Sequence, residues 1–178
     1  VKLIIIPMCL LNSIGVSVFI SILNAYLSNE QQLMAVQTHN VLNLTNETLP
    51  YFRQGLNINS AHQVCKIIKE FTNFDAVGIT DRVNVLAHIG AGEDHHLAGQ
   101  VVLTDLSKHV ISSGETKYAY HRNEIGCPHP DCPLASAIVL PLKVNNKTIG
   151  ALKMYFNKAE SLTPVEENLA TGLASIFS

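Results

Sequence analysis

Residues 136–156 read SAIVLPLKVNNKTIGALKMYF, two apolar runs joined by Asn145-Asn146. Asparagine tolerates positive φ better than most residues, so an Asn-Asn pair suits the tight two-residue turn of a hairpin. The flanking runs are rich in branched and aromatic side chains, which favour pleated strands. An antiparallel hairpin of 136–144 with 147–156 is therefore predicted, and the rest of the fold is read outward from it. Downstream, Thr163-Pro164-Val165-Glu166 offers an N-cap, a proline at the first helical position and a capping carboxylate. Val165, Leu169, Leu173 and Ile176 then share one face of a helix that runs to the chain's last residue.

Upstream, 74–80 and 85–89 read as two strands joined by the polar turn 81–84. Before them, Ser60 with Gln63 fits a capping box, followed by Ala61, Val64, Ile68 and Phe71 on one helical face. Between the two hairpins, Leu106, Val110 and Ile111 mark a short helix that Gly114 can end in a left-handed cap. A strand follows near 116–121. Strands in hairpins with helices at both ends predict an α+β fold, an antiparallel sheet flanked by helices.

The N-terminal end is different. The chain is 47% hydrophobic and only 15% charged, and the missing charge is concentrated in residues 3–23, where Cys9 is the sole ionisable side chain. About 20 apolar residues suffice to cross a bilayer, and the run exceeds the usual hydrophobic region of a signal peptide. The expected organisation is a transmembrane helix over 1–25, the last span of a larger membrane domain, a connecting helix over 26–55 and a globular domain over 56–178. In the connecting segment Leu27, Met34 and Val41 recur every seven residues, with Glu30 and Gln37 at the second seam position. A marginal parallel coiled coil and a solvated helix both fit that pattern, and Pro50 and Gly55 are expected to close it. Lys2 is the one basic residue near either end of the span, so loop charge says little about orientation. A net charge of −2 supplies no basic footprint for nucleic acid.

Three segments in order, TLPYFRQGLN (48–57), LAHIGAGEDHHLAG (86–99) and IGCPHPDCPLASAIVLPL (125–142), are more specific together than any one alone. Over 41–178 the chain resembles the membrane-proximal sensory region of LytS-type bacterial sensor histidine kinases. The resemblance implies a GAF-like domain, cytoplasmic and held at the bacterial cell membrane. It further implies a homodimer, a kinase domain in cis beyond Ser178 and a partner response regulator. The function it implies is relay of a ligand or membrane signal, with no catalysis in the fragment itself. No phosphate loop, nucleophile elbow or paired carboxylates argue otherwise. His39 does not match a phospho-accepting histidine.

The chemistry-bearing residues fall in two loops. Cys127 and Cys132 flank His129, a set that suits a thiol switch, a metal or proline-stiffened packing. Structural zinc normally takes four ligands, and neither Cys9 nor Cys65 offers an obvious fourth, which counts against metal. A disulfide requires the two Cα atoms within about 7 Å. In 93–96, Glu-Asp-His-His, the four neighbours on one loop are not expected all to face one ion, so His95 and His96 are read as pocket-lining or structural, with flanking glycines shaping the loop. A small-molecule pocket between sheet and loops would draw on Arg82, His88, His95, His96, His121, Arg122, Ser136 and Lys153.

Overall fold

The hairpin over 136–156 forms the centre of the sheet. Strands β4 (Ser136–Val144) and β5 (Lys147–Phe156) pair antiparallel with Val144 opposite Lys147. Asn145 and Asn146 take φ of 50° and 65°, the conformation the tight turn demands. In this computed structural model, which describes residues 2–102 and 104–176 and the side chains of 8, 11–29, 41–102 and 104–175, three further strands extend the hairpin. They are β1 (Ala76–Asp81), β2 (Val85–Gly90) and β3 (Lys117–Ala119), in the antiparallel order β2-β1-β5-β4-β3. Asp81 closes the first hairpin by accepting from the backbone N–H of Val83 (2.7 Å) and Asn84 (2.6 Å).

The chain divides into two compact units, Val1–His39 and Asn40–Ser178. Helix α1 (Lys2–Arg53) begins in the first and ends in the second. In the first unit the window Leu11–Asn29 has mean hydropathy 1.4 and is long and apolar enough to cross a membrane, with none of it buried. Leu27 is exposed; the side chains of Cys9, Glu30, Met34, Gln37 and His39 lie outside the described residues.

In the second unit the last turns of α1 run on through Pro50, which therefore does not close the element. The helix ends after Arg53, where Gly55 turns the chain at φ 87° and donates to the Phe52 carbonyl (3.0 Å). Helix α2 (Ile58–Phe71) starts earlier than expected: Asn57, not Ser60, is its N-cap. Asn57 is extended (φ −142°) and accepts from the Ser60 N–H, while the Ser60 hydroxyl accepts from the Asn57 N–H, both at 3.0 Å. Helix α3 (Asp105–Ser113) ends at Gly114 in the left-handed cap its sequence calls for. The expected strand near 116–121 shortens to β3, because His121 instead caps a one-turn helix α4 (Arg122–Ile125) through Glu124. Helix α5 (Pro164–Ile176) is last, with Glu166 accepting from the Thr163 N–H at 3.0 Å.

Strand alternation splits the sheet into two faces. Val77, Ile79, Ile138, Leu140, Leu152 and Met154 point to one, and join Leu44 of α1, Val64, Cys65 and Ile68 of α2 and Ala170 and Leu173 of α5 in the main core. A Cβ placed on Gly172 would come within 3.0 Å of both Val41 methyls, so α5 and the end of α1 pack closely. Ala76, Ala137, Val139, Ala151 and Tyr155 point the other way, toward α3, α4 and the long loops.

Candidate functional site

Small side chains on the loop face of the sheet make way for the larger groups packed above it. Gly78 makes the point: a Cβ there would sit 3.0 Å from His88 Nδ1 and 3.2 Å from Lys153 Cε. Lys153, between Leu152 and Met154, takes this face by alternation while they point to the other; it is 1% exposed and has no ion-pair partner among the described residues. Burial pulls its ammonium down to about 8, against smaller opposing pulls from Cys65 and Cys127. Tyr155, fully buried beside it, has the Ser107 and Thr104 hydroxyls near its own but makes no well-aligned hydrogen bond there. Burial raises that phenol above its ordinary range, with the hydroxyls of Ser107 and Thr104 acting in the opposite direction.

Two loops roof this face. In the first, Gly90 and Gly92 take φ of 104° and 79°, and the Gly92 carbonyl accepts from the N–H of both His95 (3.3 Å) and His96 (3.1 Å). This turn sends the four-residue cluster in two directions. Glu93 folds back to accept from the Gly90 N–H (3.1 Å), and Asp94 stays exposed. His96 turns inward to 3% exposure, and His95 is half-buried. The four neighbours do not all face one centre; among them only His95 and His96 turn toward the second loop.

In the second loop, Pro130 and Asp131 form a turn closed by the Cys132 N–H on the His129 carbonyl (3.3 Å). Arg122 holds it from outside, donating to the carbonyls of His129 (3.0 Å) and Pro130. Cys127 and Cys132 then face the first loop, and His96 Nε2 lies 3.8 Å from each sulfur. One ligand atom each from His95, His96, Cys127 and Cys132 falls within 4.8 Å of every other. The sequence offered Cys127, His129 and Cys132 with no fourth ligand; the fold supplies His95 and His96 from the other loop and places half-buried His129 beside His95 and Asp94, outside that set of four. His129 instead stacks on the His95 ring (4.1 Å between centroids).

The protonation pattern is specific. The exposed Asp94 carboxylate accepts from His95 Nδ1 at 2.8 Å, which holds Asp94 below its usual range and leaves His95 Nε2 bare, buried and without a partner. His88 stacks on His96 (4.8 Å) and donates from Nε2 to the Ala91 carbonyl (2.8 Å). Burial drives His88 down to about 4 and His96 down to about 3, so both rings are neutral near pH 7. Burial also pushes the Cys132 thiol up to about 11 and the Cys65 thiol, in the other core, up to about 12.

The remaining predicted residues are not gathered here. Arg82 is exposed in the β1–β2 turn, beside a shallow groove with Lys143 and Lys147. His121 is exposed and lies 3.6 Å from the Glu160 carboxylate. Ser136 is buried but donates to the Lys158 carbonyl (2.8 Å), closing the strand end. Tyr155 was missed by sequence reasoning, although its place two residues from an inward lysine, on a strand whose other face is Leu152 and Met154, is a readable signal.

No family model matches the chain. It is 64% identical to the sensor protein LytS of Streptococcus mutans over all 178 residues, which are 100% of this chain and 31% of that protein. It is 50% identical over the same 178 residues, 30% of that protein, to the sensor histidine kinase/phosphatase LytS of Staphylococcus aureus. The chain thus spans about a third of the length of the curated relatives it matches. Among solved structures, a GAF domain superposes with TM-score 0.61 at 16% identity, covering 82% of this chain and 86% of that one, which shows the fold. The chain is therefore a LytS-type segment, matching a part of LytS sensor proteins from end to end and carrying a GAF fold.

Proposed function

We propose that this chain is the transmitting segment of a membrane-bound sensor histidine kinase. Residues 1–25 form the last membrane span, 26–55 the connecting helix and 56–178 a cytoplasmic sensory domain. It works as a homodimer and relays a ligand or membrane signal to a kinase domain in cis, which phosphorylates a partner response regulator. The observation that carries this reading is the match of all 178 residues to one part of LytS sensors, joined to the course of α1: the helix that holds the apolar window also contributes Leu44 to the core. A shift of α1 would have to repack against α5 at Val41 and Gly172, and packed interfaces of this kind switch between discrete arrangements rather than deform smoothly. A small-molecule ligand held among the loops near His88, with a preference for one arrangement, would shift the population.

The test is autophosphorylation of a full-length sensor containing this segment, in membrane vesicles, with Gly172→Leu against the unmodified protein. Leucine at Gly172 cannot coexist with Val41 in its present place. The expected result is a several-fold change in phosphorylation rate with unchanged ATP affinity. An unchanged rate in a protein that still folds would sink the relay.

A further inference from the structure

The four side chains at the meeting of the two loops form a polyhedron of the right size and composition for a metal ion. A tetrahedral zinc-type centre has metal–sulfur bonds of about 2.3 Å and metal–nitrogen bonds of about 2.0 Å, which by geometry set sulfur–nitrogen edges of about 3.5 Å. His96 Nε2 is 3.8 Å from both Cys127 Sγ and Cys132 Sγ, and no edge among the four donor atoms exceeds 4.8 Å. His95 Nε2 is buried without a hydrogen-bond partner, and its other nitrogen is already committed to Asp94 at 2.8 Å. A carboxylate behind a ligating histidine is the usual way a metal site fixes the ring's tautomer and orientation. Two soft sulfurs and two imidazoles select zinc-like ions over magnesium or calcium, which prefer oxygen.

We propose that His95, His96, Cys127 and Cys132 bind one divalent ion of the zinc class, with Asp94 orienting His95. Binding forms two metal–sulfur and two metal–nitrogen bonds and releases the two thiol protons to solvent, so a dication with two thiolates and two neutral imidazoles carries no net charge. Four protein ligands close the coordination sphere, which makes the centre a clamp rather than a hydrolytic site. It pins the loop after β2 to the loop before β4, over the face that holds Lys153 and Tyr155. His129 is the ring stacked outside it, and Cys65 belongs to the opposite core.

The proposal does not depend on the kinase reading, because its readout is metal. The 178-residue chain, purified in detergent without chelator, should retain about one equivalent of zinc. Cobalt exchanged into the unmodified protein should give the intense visible bands and near-ultraviolet sulfur charge transfer of a tetrahedral thiolate site. Cys127→Ser, Cys132→Ser and His96→Gln should each lower occupancy at least tenfold. Asp94→Asn should weaken affinity about 10- to 100-fold. His129→Gln and Cys65→Ser should keep the metal. The cobalt spectrum is read on the unmodified chain and so decides the matter even if a cysteine variant does not fold. A cobalt spectrum without sulfur charge transfer, zinc that survives loss of both cysteines, or alkylation of only two of the four cysteines after denaturation, marking a disulfide, would overturn it.

Discussion

The two faces of the sheet are built from the same strands to opposite rules. One is lined by Val77, Ile79, Ile138, Leu140, Leu152 and Met154 and covered by helices. The other is lined by Ala76, Gly78, Ala137 and Ala151 and roofed by the short helices α3 and α4 together with the loops, with Lys153 and Tyr155 buried between. Among the described residues, five buried side-chain polar atoms lack a partner: Thr80 Oγ1, His88 Nδ1, His95 Nε2, His129 Nδ1 and the Tyr155 hydroxyl. All five lie on the loop face or in the loops above it. Native proteins rarely leave such groups unpaired without a ligand, a metal or a mechanism to explain them. The helical face supplies stability, and the loop face keeps polar groups whose burial cost a bound water, metal or ligand would offset.

The largest test of that division is Leu152→Ala. Leu152 is fully buried in the helical core, so truncation should cost about 3 kcal/mol, seen as a lower urea midpoint in detergent with zinc content unchanged. A loss below about 1 kcal/mol would mean that this face is not the close-packed one. Lys153→Met, one residue along and facing the other way, should act in the opposite direction. The folded-state pKa of Lys153 is lowered from 10.5 to about 8, so between those values the folded protein binds fewer protons than the unfolded chain. Stability should therefore rise with pH across that window, while below pH 8 the buried ammonium exerts its full cost. Replacing it with methionine should stabilise the protein near pH 7 by about 2–3 kcal/mol and abolish the alkaline rise. Unfolding curves at pH 7 and pH 10 for both proteins check the sign, and a loss of stability at pH 7 would show that Lys153 is compensated by a group bound on this face.

The helical face was legible in the sequence, the loop face only in parts. The hairpin over 136–156 was readable to the residue because turn chemistry and strand patterning agree at Asn145-Asn146. The start of α2 was misread because two local solutions compete: Ser60 with Gln63 fits the capping pattern as well as Asn57 with Ser60, and only the extended backbone at Asn57 selects between them. Pro50 looked like a terminator, yet α1 continues for three residues beyond it. Each half of the candidate metal centre was visible as a motif. Their union was not, since His96 is 31 and 36 residues from the two cysteines it meets. Spacing within a loop reports only local geometry, and sheet order decides which loops share a roof. The strand order sets β2 and β3 on opposite edges, so the loops attached to them converge by crossing the same face from either side.

The finest test of the comparison is Gly78→Ala. On the helical face an added methyl would meet a filled core, whereas here it meets, besides the Ala87 carbonyl (3.3 Å), two side chains, His88 at Nδ1 (3.0 Å) and Lys153 at Cε (3.2 Å). Both must give by a few tenths of an ångström, and the expected cost is about 1 kcal/mol. Because the lysine stem is flexible and the His88 ring is held by its bond to Ala91 and its stack on His96, most of the accommodation should fall on Lys153. A double-mutant cycle with Lys153→Met tests that assignment. The two substitutions should couple by at least 0.5 kcal/mol, the order of magnitude known for residues in contact. Additive effects would shift the strain to His88, and zinc content should then fall in the Gly78→Ala protein, because displacing His88 displaces the ring stacked on His96.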